Sequence, residues 1–292
     1  HPCPCPCPCT SWQPPAPTCR LTPPSPKVFS VDSPPAWIHR RVPEATNLWA
    51  PDVSKHGDEW RLYFAASSFG SAVSCIGLAT SPDLHSWTDR GPAFCTEDVC
   101  PAAPDPHACN AIDPHAFVSG GRSWMVFGSF WSGIKLVELN ATSGLLPVRD
   151  DGQRPRVWPV AENLQDAPRS IEASWVEHDA ASGWHFLFVN WGMCCRGVNS
   201  TYSIHVGRSK AVTGPYIDRA GRDMAQGGGT LLLGSEGRFI GPGQTGLLRN
   251  GSGSGSGWLL SMHYYDGQDA GKPKLRVVGL AVGGGGWPVV VG

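Results

Sequence analysis

Glu59-Trp-Arg-Leu-Tyr-Phe64 reads as an aromatic-rich strand, and it has three counterparts further along the chain: Ser123-Trp-Met-Val-Phe127, Gly183-Trp-His-Phe-Leu-Phe-Val189 and Gly257-Trp-Leu-Leu-Ser-Met262. The shared tryptophan falls at positions 60, 124, 184 and 258, giving spacings of 64, 60 and 74 residues. Each run follows an acid-bearing or glycine-rich opening: Trp49-Ala-Pro-Asp52, Asp113-Pro-His115, Glu172-Ala-Ser174 and Gly241-Pro-Gly243. A third strand and, in most copies, a short closing strand come after it. Four short antiparallel strands per unit at such a period describe a β-propeller. A single blade cannot bury both of its faces, so the blades must pack into a ring. A β-sandwich would explain the strands but not their recurrence.

Composition sets the outer bounds. The chain has 292 residues, 41% hydrophobic and 16% charged, enough for a large core in one big domain or at most two. With 36 glycines and 28 prolines it favours short strands and tight turns over long helices. A net charge of −1 gives no reason to expect nucleic acid or an anionic membrane as partner. No apolar run approaches the roughly 20 residues that span a bilayer. Most of the 13 tryptophans are read as blade packing, with a few left to stack on sugar rings.

The amino-terminal stretch differs from the rest. Residues 1–48 carry 13 prolines, too many for a full four-stranded blade, and Cys3, Cys5, Cys7 and Cys9 alternate with proline as a low-complexity run. Either the ring has four blades or a fifth has lost its opening; on the second reading 1–33 is a Pro/Cys-rich segment with a remnant of blade one, and 34–292 a single propeller domain. Cys95, Cys100 and Cys109 crowd a proline-rich loop, where one bridge suits a secreted chain. Cys194-Cys195 is read as a structural turn. The sequons Asn140-Ala-Thr142, Asn199-Ser-Thr201 and Asn250-Gly-Ser252 are compatible with an extracellular location, and Gly251–Gly257 reads as a flexible loop. The chain opens at His1 without a signal-peptide pattern.

Asp52, Asp113 and Glu172 open the innermost strand of successive units at intervals of 61 and 59 residues, so the fold should bring them to one axis. Carboxyls paired on a shared axis suggest glycosidic-bond cleavage.

At these residues the chain resembles glycoside hydrolase family 43, and within it the endo-arabinanases. The matching runs include Asn47-Leu-Trp-Ala-Pro-Asp-Val53, Asn110-Ala-Ile-Asp-Pro114, Phe127-Gly-Ser-Phe-Trp-Ser-Gly-Ile134, Ile171-Glu-Ala173, Cys194-Cys-Arg-Gly197, Ser200-Thr-Tyr202, Gly241-Pro-Gly243 and His263-Tyr-Tyr-Asp266. The resemblance implies an all-β, five-bladed propeller, here with an incomplete first blade, that hydrolyses α-1,5-arabinan of cell-wall pectin with inversion. It implies Glu172 as general acid and Asp113 as the carboxylate that tunes and orients it. The family's general base, an aspartate in a His-Asp-Pro opening of the first blade, has no counterpart here, and Asp32 in Ser30-Val-Asp-Ser-Pro34 is not taken as one. Trp49, Asp52, Asn110, Phe130 and Trp131 are placed on the substrate, the alternatives being loop bracing for Asp52 and blade packing for Phe130 and Trp131. His263 is implied as ligand of a central, largely water-bound calcium or sodium ion, with no organic cofactor. Gln244 stands where the family usually has histidine. The expected partner is arabinan or its oligosaccharides, bound by a monomer. Competing readings are a catalytically dead arabinan-binding propeller and a related exo-arabinofuranosidase or xylosidase.

Overall fold

The protein is described by a computed structural model over residues 28–29, 34–101, 103–148, 151–165, 167–249 and 257–291. The four tryptophan-bearing runs become the second strands of four antiparallel sheets, each with four strands in sequential order. Blade one is β1 (Asn47–His56), β2 (Glu59–Ser67), β3 (Cys75–Ser81) and β4 (Thr88–Cys95). Blade two is β5 (His115–Ser119), β6 (Arg122–Phe127), β7 (Ile134–Leu139) and β8 (Val157–Ala161). Blade three is β9 (Ile171–Asp179), β10 (Trp184–Trp191), β11 (Ser203–Ser209) and β12 (Thr230–Leu233). Blade four is β13 (Phe239–Arg249), β14 (Trp258–Asp266), β15 (Lys272–Val282) and β16 (Pro288–Val291). Turn chemistry suits these meanders. Gly120 and Gly121, both at positive φ, form the two-residue loop between the paired ends Ser119 and Arg122.

Both faces of a middle strand are apolar because each faces another blade. Tyr63 and Ile76 of blade one meet Met125 and Phe127 of blade two. Val126 and Leu136 then meet Leu187 and Val189 of blade three. Phe186 and Phe188 meet Leu260 and Met262 of blade four. Among the described residues no such cluster joins blade four back to blade one. The free face of blade one is covered by α1 (Ala36–Arg41), whose Trp37 and Ile38 pack on Leu62 and Phe64. The free face of blade four has no such cover among the described residues: Leu275 is 73% exposed, Leu248 68% and Val277 51%.

This corrects the expected blade count. The described residues form four complete blades and no strand of a fifth. Among the described residues ahead of β1 there is one short helix set between prolines: Pro35 leads into it, and Pro43 disfavours helical backbone at Val42. The Cys-Pro run, Asp32, the Asn250 sequon and most of the Gly251–Gly257 loop lie outside the described residues.

Disulfides join Cys75 to Cys95 across β3 and β4, Cys100 to Cys109, and the neighbours Cys194 and Cys195. The expected bridge within the proline-rich loop is therefore the one between Cys100 and Cys109. Cys95 instead pairs with Cys75, its cross-strand partner in the register.

Successive blades are also stitched along the axis by side chains. The Asp52 carboxylate of blade one accepts the Ala116 N–H of blade two at 2.8 Å. Asp113, just ahead of β5, accepts the Ala173 N–H of blade three at 3.0 Å. Asn190 of blade three accepts the Gln244 N–H of blade four at 3.0 Å. His115 adds a second tie, lying 3.4 Å from Asp52, donating to the Val176 carbonyl and stacking on Trp175. Removing the Asp52 carboxylate leaves a buried N–H without its acceptor and a buried imidazole without its polar neighbour. Asp52→Ala is expected to lose about 1–3 kcal/mol in urea unfolding, and Asp52→Asn, which keeps an acceptor, to lose less. Equal losses in the two variants would refute this account of the stitch.

Candidate active site

Where the innermost strands begin, the ladder is irregular. The β1–β2 register shifts between Trp49 and Asp52, the β9–β10 register between Phe188 and Asn190, and β13 shifts twice around Gly243. Left-handed backbone marks the same mouth in every blade: Ala50, Asp113, Ala173 and Gln244 all have positive φ. Such conformations cost free energy in non-glycine residues and cluster at sites that aim side chains. Here they turn Asp113 and Glu172 toward each other.

Asp113 is buried, with one carboxylate oxygen on the Ala173 N–H. Glu172, the residue before Ala173, is half-buried and held at both oxygens. Ser129 Oγ donates to Oε2 at 2.7 Å, and the Tyr202 hydroxyl donates to Oε1. Burial raises the pKa of both carboxyls. The Glu172 charge raises Asp113 further, whereas the Ser129 hydrogen bond opposes the rise at Glu172. Two acids this close titrate as a pair, which keeps one proton to pH values at which an isolated carboxyl would be ionised. A hydrogen-bonded, still protonated carboxyl at an open mouth is equipped to protonate a leaving oxygen.

Neighbouring loops build the rest of the mouth. Between β6 and β7, the Phe130 N–H donates to the Ile171 carbonyl, fixing Ser129, Phe130 and Trp131 beside Glu172. Phe130 and Trp131 are half-buried. Trp49 packs against Phe69 at 5.0 Å, and Phe69 is 88% exposed, so an aromatic pair stands on the blade-one side. Tyr202 is carried by the loop between β10 and β11, which also holds the Cys194–Cys195 disulfide. The Cys195 N–H of that loop donates to the Tyr265 hydroxyl at 2.7 Å. Close approach of Tyr202 depends on Gly243, where an added Cβ would sit 2.4 Å from the tyrosine ring.

The other site candidates divide. Asp52 is 8% exposed and gives its oxygens to blade two, so it braces the axis instead of lining the cleft. Asn110 is 3% exposed and accepts from Ser74 Oγ at 2.6 Å, holding the loop ahead of Asp113. His263 lies between the rings of Tyr202 and Tyr265, with its Nε2 buried and unpartnered. Gln244 is exposed, and its backbone takes part in the stitch to Asn190. Among the described residues Glu172 is the charged neighbour that raises Asp113, and no third carboxylate joins the pair. Ser129 and Tyr202 are the functional partners that motif reading left without a role. Both lie in loops at blade mouths, and only that position marks them.

Comparison with known proteins agrees with this geometry. Residues 30–282 match the model of glycosyl hydrolases family 43. An extracellular endo-α-(1→5)-L-arabinanase of Bacillus subtilis is 36% identical over 260 residues, covering 88% of this chain and 73% of the relative. An extracellular exo-α-(1→5)-L-arabinofuranosidase of Cellvibrio japonicus is also 36% identical, covering 88% and 74%. The solved structure of a Cellvibrio cellulosa α-L-arabinanase complexed with arabinohexaose superposes with a TM-score of 0.76 at 34% identity, covering 91% of this chain and 84% of that one.

The raised pKa values carry a sign. A carboxyl that is harder to ionise in the folded chain than in the unfolded one weakens the fold as pH rises from about 4 through the folded value. Asp113→Asn keeps an acceptor for Ala173 and removes the ionisation. Between pH 5 and pH 8 the variant is expected to lose less stability than the wild type, by on the order of 2 kcal/mol, in urea unfolding at each pH. Parallel pH profiles would count against a buried, proton-sharing pair.

Proposed function

The chain belongs to glycosyl hydrolases family 43, and from that footing we propose that it cleaves α-1,5-linked arabinan within the chain, outside the cell, with Glu172 as general acid. The observation that carries the reading is the proton-sharing pair of Asp113 and Glu172, with Ser129 and Tyr202 fixing the direction of the Glu172 carboxyl. Glu172 gives its proton to the glycosidic oxygen as the bond breaks. Burial keeps a proton on the pair, Asp113 shares it, and Asp113 holds Glu172 through the Ala173 N–H. Phe130, Trp131 and Trp49 offer faces for furanose rings to either side. Disulfides Cys75–Cys95 and Cys100–Cys109 suit an oxidising, extracellular setting.

Inversion needs water delivered from the opposite face by a base about 6.5–9.5 Å from the acid. The described residues supply the acid and its tuner and no such base. A second reading, a propeller that grips arabinan without turning it over, draws its support from that feature.

A central calcium or sodium ion belongs to the proposal. His263 fits it, because burial lowers its pKa and leaves a neutral imidazole with an unpartnered Nε2. Among the described residues no group of three or more His, Cys, Asp or Glu side chains converges on one point, so water would complete the shell, as suits a hard cation. Held by His263 and water, such an ion would supply positive charge beside the site.

The purified chain is expected to release oligosaccharides from linear arabinan at a rate about 10²–10⁴-fold below a relative with its base intact. Azide or formate, small enough to attack from the open side, should raise the rate, and Glu172→Gln should remove what activity there is. Arabinohexaose binding without any product, with or without azide, would favour the binding propeller. Release that survives Glu172→Gln would sink the assignment of the acid.

A further inference from the structure

At the end of the ring opposite Glu172, three cations and two tryptophans interleave. Trp184 opens β10, whose far end reaches Glu172 through the Asn190 pairing, so Trp184 lies at the other rim. Arg208, near the end of β11, places its guanidinium 4.4 Å from the Trp184 ring and 4.3 Å from the Trp287 ring of blade four. The Lys210 ammonium stands 3.8 Å from Trp184, and the Arg219 guanidinium 5.5 Å from Trp287. A cavity of about 380 Å³ runs among them along the seam between blades three and four, walled also by Pro215 and Ile217.

None of the three cations is paired with a carboxylate among the described residues. Arg208 donates to the carbonyls of Gly285 and Gly286, and Lys210 donates to the carbonyl of Ser182. Asp218 is the acid of the cavity wall, and its oxygens are taken by the N–H groups of Ala220, Arg222 and Gly229. The positive charge is thus held in place by aromatic faces and carbonyl oxygens and stays available to an anion.

The wall also indicates which kind of anion. The cavity lies in the range of ligand pockets, about 300–1,000 Å³, and its indole edges with Pro215 and Ile217 suit C–H surface. The backbone groups that hold Arg208 and Lys210, at Gly285, Gly286 and Ser182, are carbonyls, whereas a compact phosphate is cradled by N–H groups. The cations are spread along a seam and not gathered at one point. That pattern fits a chain of sugar rings bearing carboxylates at intervals.

We propose that the Lys210–Arg208–Arg219 seam is a second carbohydrate site that binds an acidic saccharide chain, a run of hexuronate residues. Neutral arabinan has no charge to offer it, so the two ends of the ring would take chemically different polymers. The site anchors the protein on an acidic matrix and does not depend on the catalytic reading.

The test is calorimetric titration of the full chain with short galacturonate oligomers, beside their methyl-esterified forms and inorganic phosphate at equal ionic strength. Expected are binding that weakens with added salt, no binding of the ester, and at least a tenfold loss of affinity in the doubly substituted Lys210→Ala, Arg219→Ala chain. Both residues are exposed, and the variant should melt with the wild type; Arg219→Ala alone should give a smaller loss in the same direction. Glu172→Gln should bind galacturonate as the wild type does, so the result stands apart from any outcome on arabinan. Failure of the wild type to bind, equal binding by the doubly substituted chain, equal binding of the ester, or equally effective competition by phosphate would each overturn the proposal.

Discussion

A carboxylate or amide from one blade accepting a backbone N–H of the next is the interaction on which the axis is built. Asp52 does this for blade two, Asp113 for blade three and Asn190 for blade four. Ala173 and Gln244 sit where the inner-strand register shifts and Ala116 on an innermost strand of regular register, and each N–H would be orphaned in a buried place. A side chain from the preceding blade satisfies them. The same device creates the chemistry, because a carboxyl brought inward to brace an N–H is desolvated by that placement, and Asp113 is set beside Glu172 as a result. Bracing and proton-holding are therefore one arrangement at Asp113, whereas Asp52, with His115 at its side, serves as brace.

Much of the architecture was legible in the recurring tryptophan and in the openings ahead of it. The repeat of Trp60, Trp124, Trp184 and Trp258 reflects a real physical equivalence, since each occupies the second strand of a blade. The placement of Asp113 and Glu172 at one mouth followed from the same periodicity. Less legible was whether a polar residue on the axis faces the cleft or the next blade. Asp52 and Asn110 both turned out to be holding backbone or a loop, a distinction made by one bulge or one neighbouring hydroxyl such as that of Ser74. Ser129 and Tyr202 lie in loops that carry no periodicity, so their convergence on Glu172 is a tertiary fact. The count of five blades came from the family resemblance; the recurring unit itself occurs four times, and what it did not indicate is that the segment ahead of β1 forms α1 and covers blade one.

The two ends of the ring differ in how charge is handled. At the Glu172 end, acids share a proton and are surrounded by neutral hydroxyls and aromatic rings. At the opposite end, Arg208, Lys210 and Arg219 are fixed by tryptophan faces and carbonyl oxygens. Arginine and lysine held by aromatic faces lose little of their electrostatic reach, because no counter-charge is spent on them. The molecule is thus polar along its axis although its net charge is −1.

The exposed face of blade four has a further consequence. With apolar interfaces one-to-two, two-to-three and three-to-four and none from four to one among the described residues, blades one and four each have one such junction fewer than the middle blades. In an array of repeated units, stability is a sum over units and nearest-neighbour junctions. Blade one recovers part of that deficit through α1, and among the described residues blade four has no such cover. Amide exchange should therefore be graded along the molecule, slowest in β6 and β10 and fastest in β15 and β16, with blade four opening as a unit while the carboxyl pair between blades two and three stays assembled.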